Sequence, residues 1–139
     1  MEIKIFNKLP DSAKMIRDEV FVKEQGFIDE YDEKDDIASH IVLFDGNEPI
    51  ATLRLYETDE PGVFMFGRIA VVKSQRKGGV GRKIMSAAEE YVHSKGGKKV
   101  ILHAQLQAKG FYEKAGYKVF GELEYEQDCP HVWMEKKIV

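Results

Sequence analysis

Cysteine is nearly absent from this sequence: Cys129 stands alone among 139 residues. A lone thiol excludes an intramolecular disulfide and a cluster of thiolates around a metal, and it suits a reducing compartment. Long apolar runs are missing too. Runs such as Ile41 to Phe44 and Val63 to Phe66 fall far short of the ~18 residues that span a bilayer. The opening Met1-Glu2-Ile3-Lys4 lacks the basic start and apolar stretch of a secretory signal, so the expected location is the cytoplasm, with no membrane as partner. Positive charge is not in excess either. With 21 basic against 24 acidic residues the net charge is -3, which leaves no electrostatic footprint for nucleic acid. There is no internal repeat, Pro/Ser linker or low-complexity segment. What remains is an ordinary globular composition, 43% hydrophobic and 32% charged, in a length that predicts one domain over residues 1–139. Its expected partner is a small molecule or a protein segment, and a homodimer is admissible.

The chain begins with Ile3 and Ile5 alternating, as in a strand, and turns at Leu9-Pro10-Asp11-Ser12 into Ala13, Ile16 and Val20 at helical spacing. Asp29 to Asp36 then carries six acids in eight residues with no apolar period, which predicts a solvated loop; attraction of a cationic amine is the functional alternative. It is not a calcium loop, since a 12-residue pattern started at Asp32 has no glycine at its sixth position. His40 to Phe44 and Ile50 to Tyr56 flank the turn-forming Asp45-Gly46-Asn47-Glu48-Pro49 and predict a hairpin; Val63 to Val72 adds a third antiparallel strand. Val80, Ile84, Ala88 and Val92 fall on one helical stripe that stops at Gly96-Gly97, followed by a short strand Val100 to Leu102 and a short helix Ala108 to Ala115. Tyr117 to Tyr125 and His131 to Lys136 are the last strands, around Asp128-Cys129-Pro130. A strand, crossover helix and strand in succession put one parallel step in a mostly antiparallel sheet. The predicted fold class is therefore mixed α/β with helices on both faces.

The most informative segment is Arg76-Lys77-Gly78-Gly79-Val80-Gly81-Arg82, where a strand hands over to an amphipathic helix. The first N–H groups of a helix lack partners and carry the positive end of its dipole, and glycine lets an anion approach the main chain. A plain surface loop with solubilising bases is the alternative. Two phosphate motifs are excluded by spelling. A P-loop ends in Gly-Lys-Ser/Thr where this chain has Gly81-Arg82-Lys83-Ile84, and a dinucleotide fingerprint begun at Gly79 meets Ile84 instead of Gly or Ala.

Arg76, Gly79 and Gly81 resemble the acyl-coenzyme A pyrophosphate loop, Arg/Gln-x-x-Gly-x-Gly/Ala, of the GNAT (GCN5-related) N-acetyltransferases. Upstream, Arg68-Ile69-Ala70-Val71 resembles that family's central strand. Downstream, Ala108-Lys109-Gly110-Phe111-Tyr112-Glu113-Lys114-Ala115-Gly116-Tyr117 is similar to its A-x-x-F-Y-x-K-x-G-F/Y block. The resemblance covers nearly the whole chain and is greatest to a small stand-alone bacterial branch, with Phe21-Val22-x-Glu24-Gln25 and then His40, whose substrates are generally unassigned.

That resemblance implies acetyl transfer from acetyl-CoA, a co-substrate, to a primary amine of a small molecule by direct attack in a ternary complex. The strand over Gly67 to Val72 should bulge and splay from Val100 to Ala104, leaving main chain of Ile69 and Val71 free to bond pantetheine. The implied coenzyme contacts are Ile69, Ala70, Val71, Arg76, Lys77, Gly78, Gly79, Val80, Gly81, Arg82, His103, Phe111, Tyr112 and Lys114. Tyr112 aligns with the tyrosine that stabilises or protonates the departing thiolate, a fitting task for a phenol of pKa ~10. His131, in Pro130-His131-Val132-Trp133-Met134, is the implied base; His103, Glu24 and His40 compete. Arg17, Arg54, Arg68 and Glu24 are the acceptor-pocket candidates, the arginines because a guanidinium fork grips carboxylate or phosphate. Each has a bland alternative: packing for Tyr112 and His131, surface ion pairs for the arginines, core for Phe64, Phe66 and Trp133, a plain half-buried thiol for Cys129, and solvent for His93. No His or Cys spacing suggests a metal site. A non-catalytic acyl-CoA sensor or interaction module, and a protein or peptide acetyltransferase, are the alternative functions.

Overall fold

A computed structural model of the chain describes residues 1–28 and 30–138. The opening alternation forms strand β1 (Glu2–Phe6), and the helical spacing after Pro10 forms helix α1 (Asp11–Arg17). The helix does not stop where its α pitch does. It winds on with π pitch over Asp18–Glu24, and the Gln25 N–H donates to the Val20 carbonyl at 3.1 Å. Such wide turns are rare inside helices and gather at functional sites. There follow α2 (Lys34–Ile37), β2 (Ser39–Asp45), β3 (Glu48–Glu57), β4 (Val63–Val71), α3 (Val80–Ser94), β5 (Lys99–Gln105), α4 (Lys109–Lys114), β6 (Lys118–Glu126) and β7 (Cys129–Lys137). β5 is longer than its apolar run predicted, because burial alternates along all seven of its residues. The last turn also shifts: Gln127 and Asp128, both with positive φ, close a two-residue hairpin, and Cys129 and Pro130 already belong to β7.

The seven strands form one sheet in the order β1-β2-β3-β4-β5-β7-β6, antiparallel throughout except for β4 beside β5. The mixed α/β expectation and its single parallel step are met. Alternation along β2 sends Val42 to one face, packed with Ala13, Ile16, Val20 and Phe21, and Ile41 and Leu43 to the other, packed with the α3 stripe. Val80, Ile84, Met85, Ala88 and Val92 are that stripe, and burying an Ile84 or a Met85 side chain stabilises by roughly 2 kcal/mol each.

Two irregularities in β4 position the site. First, its pairing with β5 runs only from Val63–Lys99 to Phe66–Leu102, so Gly67–Val71 and His103–Gln105 diverge without partners across the gap. Second, Thr52 of β3 faces Ala70 whereas Arg54 faces Gly67, which leaves β4 one residue in excess at Arg68 and Ile69. Arg68 sits at φ 49, a conformation long side chains seldom adopt, and a bulge of this kind bends the strand and re-aims its side chains.

Candidate functional site

A cavity of about 890 Å³ opens along this divergence. Lys77, Gly79, Gly81 and Arg82 line one end; Ile69, Ala70, Val71, His103, Phe111 and Tyr112 line the middle; Glu30, Asp32, Arg54, Arg68, Glu126 and His131 line the other.

At the first end, α3 starts from Gly79 at φ 75 with no side-chain cap and no acidic residue in its first turn. The first intrahelical bond runs from the Lys83 N–H to the Gly79 carbonyl, so the N–H groups of Val80, Gly81 and Arg82 are unpaired within the helix. Gly81 is required for a second reason: a Cβ there would lie 3.0 Å from the Phe111 ring, and Phe111 walls the cavity. Lys77 and Arg82 supply full charges. Arg76 does not. Its guanidinium holds both oxygens of Glu24, at 2.7 and 2.6 Å, and its Nε–H donates to the Val71 carbonyl at 2.9 Å. Arg76 is thus a strut from the π turn to the end of β4; its hydrogen bond holds the Glu24 carboxyl below its usual value. Glu24 is withdrawn from both the acceptor wall and the base candidates, and the Val71 carbonyl already accepts one hydrogen bond.

In the middle, Tyr112 is buried against Phe111 and Tyr117, with ring centroids 5.1 and 6.2 Å away. Burial pushes its phenol up, so it stays protonated and can donate. Val80 is in the core, contributing main chain only, while Gly78 and Lys114 are exposed and off the wall.

At the far end the acidic run is only in part a solvated loop: Glu33 and Asp36 are exposed, but Glu30 and Asp35 are buried. Arg17, 1% exposed, donates to Glu30 at 2.9 Å and to Asp35 at 2.8 Å. Arg54 holds Asp32 at 2.6 Å and Asp35 at 3.0 Å, and Arg68 reaches Glu30 at 3.1 Å and Asp32 at 3.3 Å. The expectation fails because the partners lie at least 13 residues away in sequence, where no local pattern shows them. Asp29, the first acid of the run, lies outside the described residues. Burial would raise the Asp35 carboxyl, but Arg17 and Arg54 outweigh it and hold it at about 2. Glu30 goes the other way, raised by burial despite its arginines. Arg17 lies off the cavity wall, so of the three arginines only Arg54 and Arg68 face it. His40 is removed as a base candidate, being buried with Nε2 on the Asp35 carbonyl at 3.0 Å.

Strands β5, β7 and β6 bring four more side chains together. His131 Nδ1 donates to the Cys129 carbonyl at 2.9 Å, which in the neutral ring makes Nε2 the proton acceptor. That Nε2 lies 3.4 Å from Glu126 Oε2, and the same oxygen accepts from His103 Nδ1 at 3.0 Å. Trp133, read from sequence as core, is half-buried on the cavity wall and stacks on His103 at 4.4 Å. Glu126 was missed altogether: it ends a strand whose residues are all exposed, and only the two-residue turn brings it level with Cys129 and beside both imidazoles. The Cys129 thiol is raised by burial and by Glu126, the wrong direction for a nucleophilic thiolate.

A sequence profile for the acetyltransferase (GNAT) domain matches residues 13–138. The chain belongs to the GNAT acetyltransferase family. Among curated proteins it is 42% identical over 127 residues, 89% of each chain, to the uncharacterized N-acetyltransferase YjcF of Bacillus subtilis. The crystal structure of a candidate N-acetyltransferase from Lactobacillus plantarum superposes with a TM-score of 0.91 at 34% identity, covering 99% of this chain and 98% of that one. An aminoglycoside 6'-N-acetyltransferase complexed with coenzyme A shares the fold at 19% identity, TM-score 0.77, covering 100% of this chain and 98% of that one. The protein is thus an acyltransferase of the GNAT type.

Proposed function

We propose that the protein transfers an acetyl group from acetyl-CoA to a primary amine of a small molecule, with both substrates bound in the one cavity. The observation that carries this reading is the divergence of β4 and β5 past Phe66 and Leu102, opening onto the unpaired N–H groups of α3. The residues present fit the coenzyme. Lys77, Arg82 and the N–H groups of residues 80–82 suit a pyrophosphate, and the unpaired edge of β4 around Ile69 suits an amide-bearing pantetheine arm. The coenzyme complex of the aminoglycoside acetyltransferase of like fold supports the same ligand. The coenzyme supplies an acyl thioester; the chain supplies the rest. Tyr112 donates its phenolic proton toward charge that develops on sulfur, His131 Nε2 takes the proton that the attacking amine must shed, and the Glu126 carboxylate 3.4 Å away stabilises the imidazolium that results.

The test is thiol release from acetyl-CoA across amines, amino acids, aminosugars and peptides, alongside calorimetric titration with coenzyme A. Micromolar coenzyme binding with amine-dependent thiol release is expected; binding without release from any amine would leave a sensor rather than an enzyme.

A further inference from the structure

Resting on that reading, we propose that the acceptor is a primary alkyl- or arylalkylamine without an acid group, and that its ammonium docks on the Glu126 carboxylate. The arginines of the acceptor end are already neutralised. Three guanidinium groups, Arg17, Arg54 and Arg68, meet three carboxylates, Glu30, Asp32 and Asp35, in contacts of 2.6 to 3.3 Å. A substrate carboxylate approaching Arg68 would face Glu30 and Asp32 across the same guanidinium, so its attraction is offset by two carboxylates already there. The charge that the sequence offered to an anionic substrate is matched from within the chain, although the buried Arg54 Nε has no hydrogen-bond partner among the described residues.

What the network leaves over is negative. Glu33 and Lys34 at the rim are opposite in sign and adjacent, which leaves Glu126 without a cationic partner of fixed charge. Both imidazoles converge on its Oε2, and among the described residues no group bonds its Oε1. The carboxylate is half exposed on the cavity wall, so its Oε2 is held by His103 beside His131 while Oε1 is open. The cavity wall that Glu126 shares also carries Phe21, Phe27, Met65 and Trp133, and Trp133 stacks on the same His103 that donates to Glu126. A carboxylate with an open oxygen beside aromatic rings recognises an ammonium on an apolar body. The placement also suits the proton transfer that comes after binding, because the docked nitrogen lies beside His131, the group that accepts its proton.

The experiment is calorimetric titration of the coenzyme A complex with phenethylamine, phenylalanine and 3-phenylpropanol, in wild type and in Glu126→Gln. These probes share a phenyl body and differ in charge: cation, zwitterion, neutral. Phenethylamine is expected to bind at least about tenfold more tightly than either of the others, and Glu126→Gln to remove about tenfold of that preference while leaving coenzyme A affinity unchanged. Glu126 is exposed, so the variant should fold, and an unshifted melting temperature checks it. Phenylalanine binding as well as phenethylamine, equal amine affinity in Glu126→Gln, or no amine binding at about 10 mM, a Kd scale of only ~3 kcal/mol, would each overturn the assignment. Coenzyme affinity is read on the same samples. Its absence in wild type defeats the acetyl-transfer reading, whereas a failed amine arm with coenzyme bound defeats only the docking on Glu126.

Discussion

Tyr112 separates cleanly into ring and hydroxyl. The ring packs between Phe111 and Tyr117, and among the described residues no group accepts a bond from its hydroxyl. Tyr112→Phe should therefore keep the melting temperature within about 1 °C and keep coenzyme A affinity, yet lower kcat by ~10 to 1000-fold, the range of one acid or charge-stabilising contact. A kcat within twofold of wild type, with chemistry rate-limiting, would return Tyr112 to a packing role. For His131, whose Nε2 is the open nitrogen, replacement by Ala should lower kcat/KM about 100-fold while coenzyme binding persists; an unchanged rate would pass the base role to His103 or Glu126. Tyr112 and His131 could be singled out from sequence because each stands in a local block, and both line the cavity; their roles are the proposal that these variants test. Glu126 could not, because its significance is a distance across three strands, and neither could the capture of Arg76 by Glu24, 52 residues away.

At the scale of elements, order and type were largely readable because hydrophobic period reports them directly: the α3 stripe, the hairpin of β2 and β3, and the parallel step all came from spacing. The π turn after Arg17 was not, since Ala13, Ile16 and Val20 fit an ordinary helix equally well. The acidic run is the instructive error. Charge density alone reads as solvation, whereas here three of the carboxylates, Glu30, Asp32 and Asp35, fold back onto arginines of α1, β3 and β4. The glycine turn invites a specific variant. Gly79→Asp would strain a left-handed residue and Gly81→Asp would strike Phe111, so either confounds binding with folding. Gly78 has no positive φ, and a Cβ added there would meet no neighbour within 4 Å, so Gly78→Asp should fold normally. Its carboxylate beside the α3 N-terminus should weaken coenzyme A binding about tenfold by calorimetry. Because Gly78 lies just off the wall, Lys77→Ala and Arg82→Ala, which are on it, complete the test: unaltered affinity in all three variants would place the pyrophosphate elsewhere.

For the molecule as a whole, the ion-pair network ties acid stability to Asp35. Its carboxyl ionises at about 2 in the folded chain against an ordinary 3.8, which contributes about 2 kcal/mol of stability, present in full above roughly pH 4 and lost as pH falls toward 2. Glu30, raised by burial, acts with the opposite sign and flattens that slope. Asp35→Asn should cost about 2 to 4 kcal/mol in urea unfolding at pH 7, since it also strands Arg17 and Arg54, and the gap to wild type should narrow below about pH 3; a gap independent of pH would mean that the carboxylate charge contributes nothing. The four-rung join between β4 and β5 has a mechanical consequence. β1 through β4 form one plate and β5, β7 and β6 another, and the rungs from Val63 to Phe66 are the seam along which they can flex. A ligand laid in the open part of that seam works as a wedge and a splint at once, damping the motion of one plate against the other. Amide exchange in His103–Gln105 and along β7 should slow when coenzyme A is added, even though β7 itself lies one strand away from the gap.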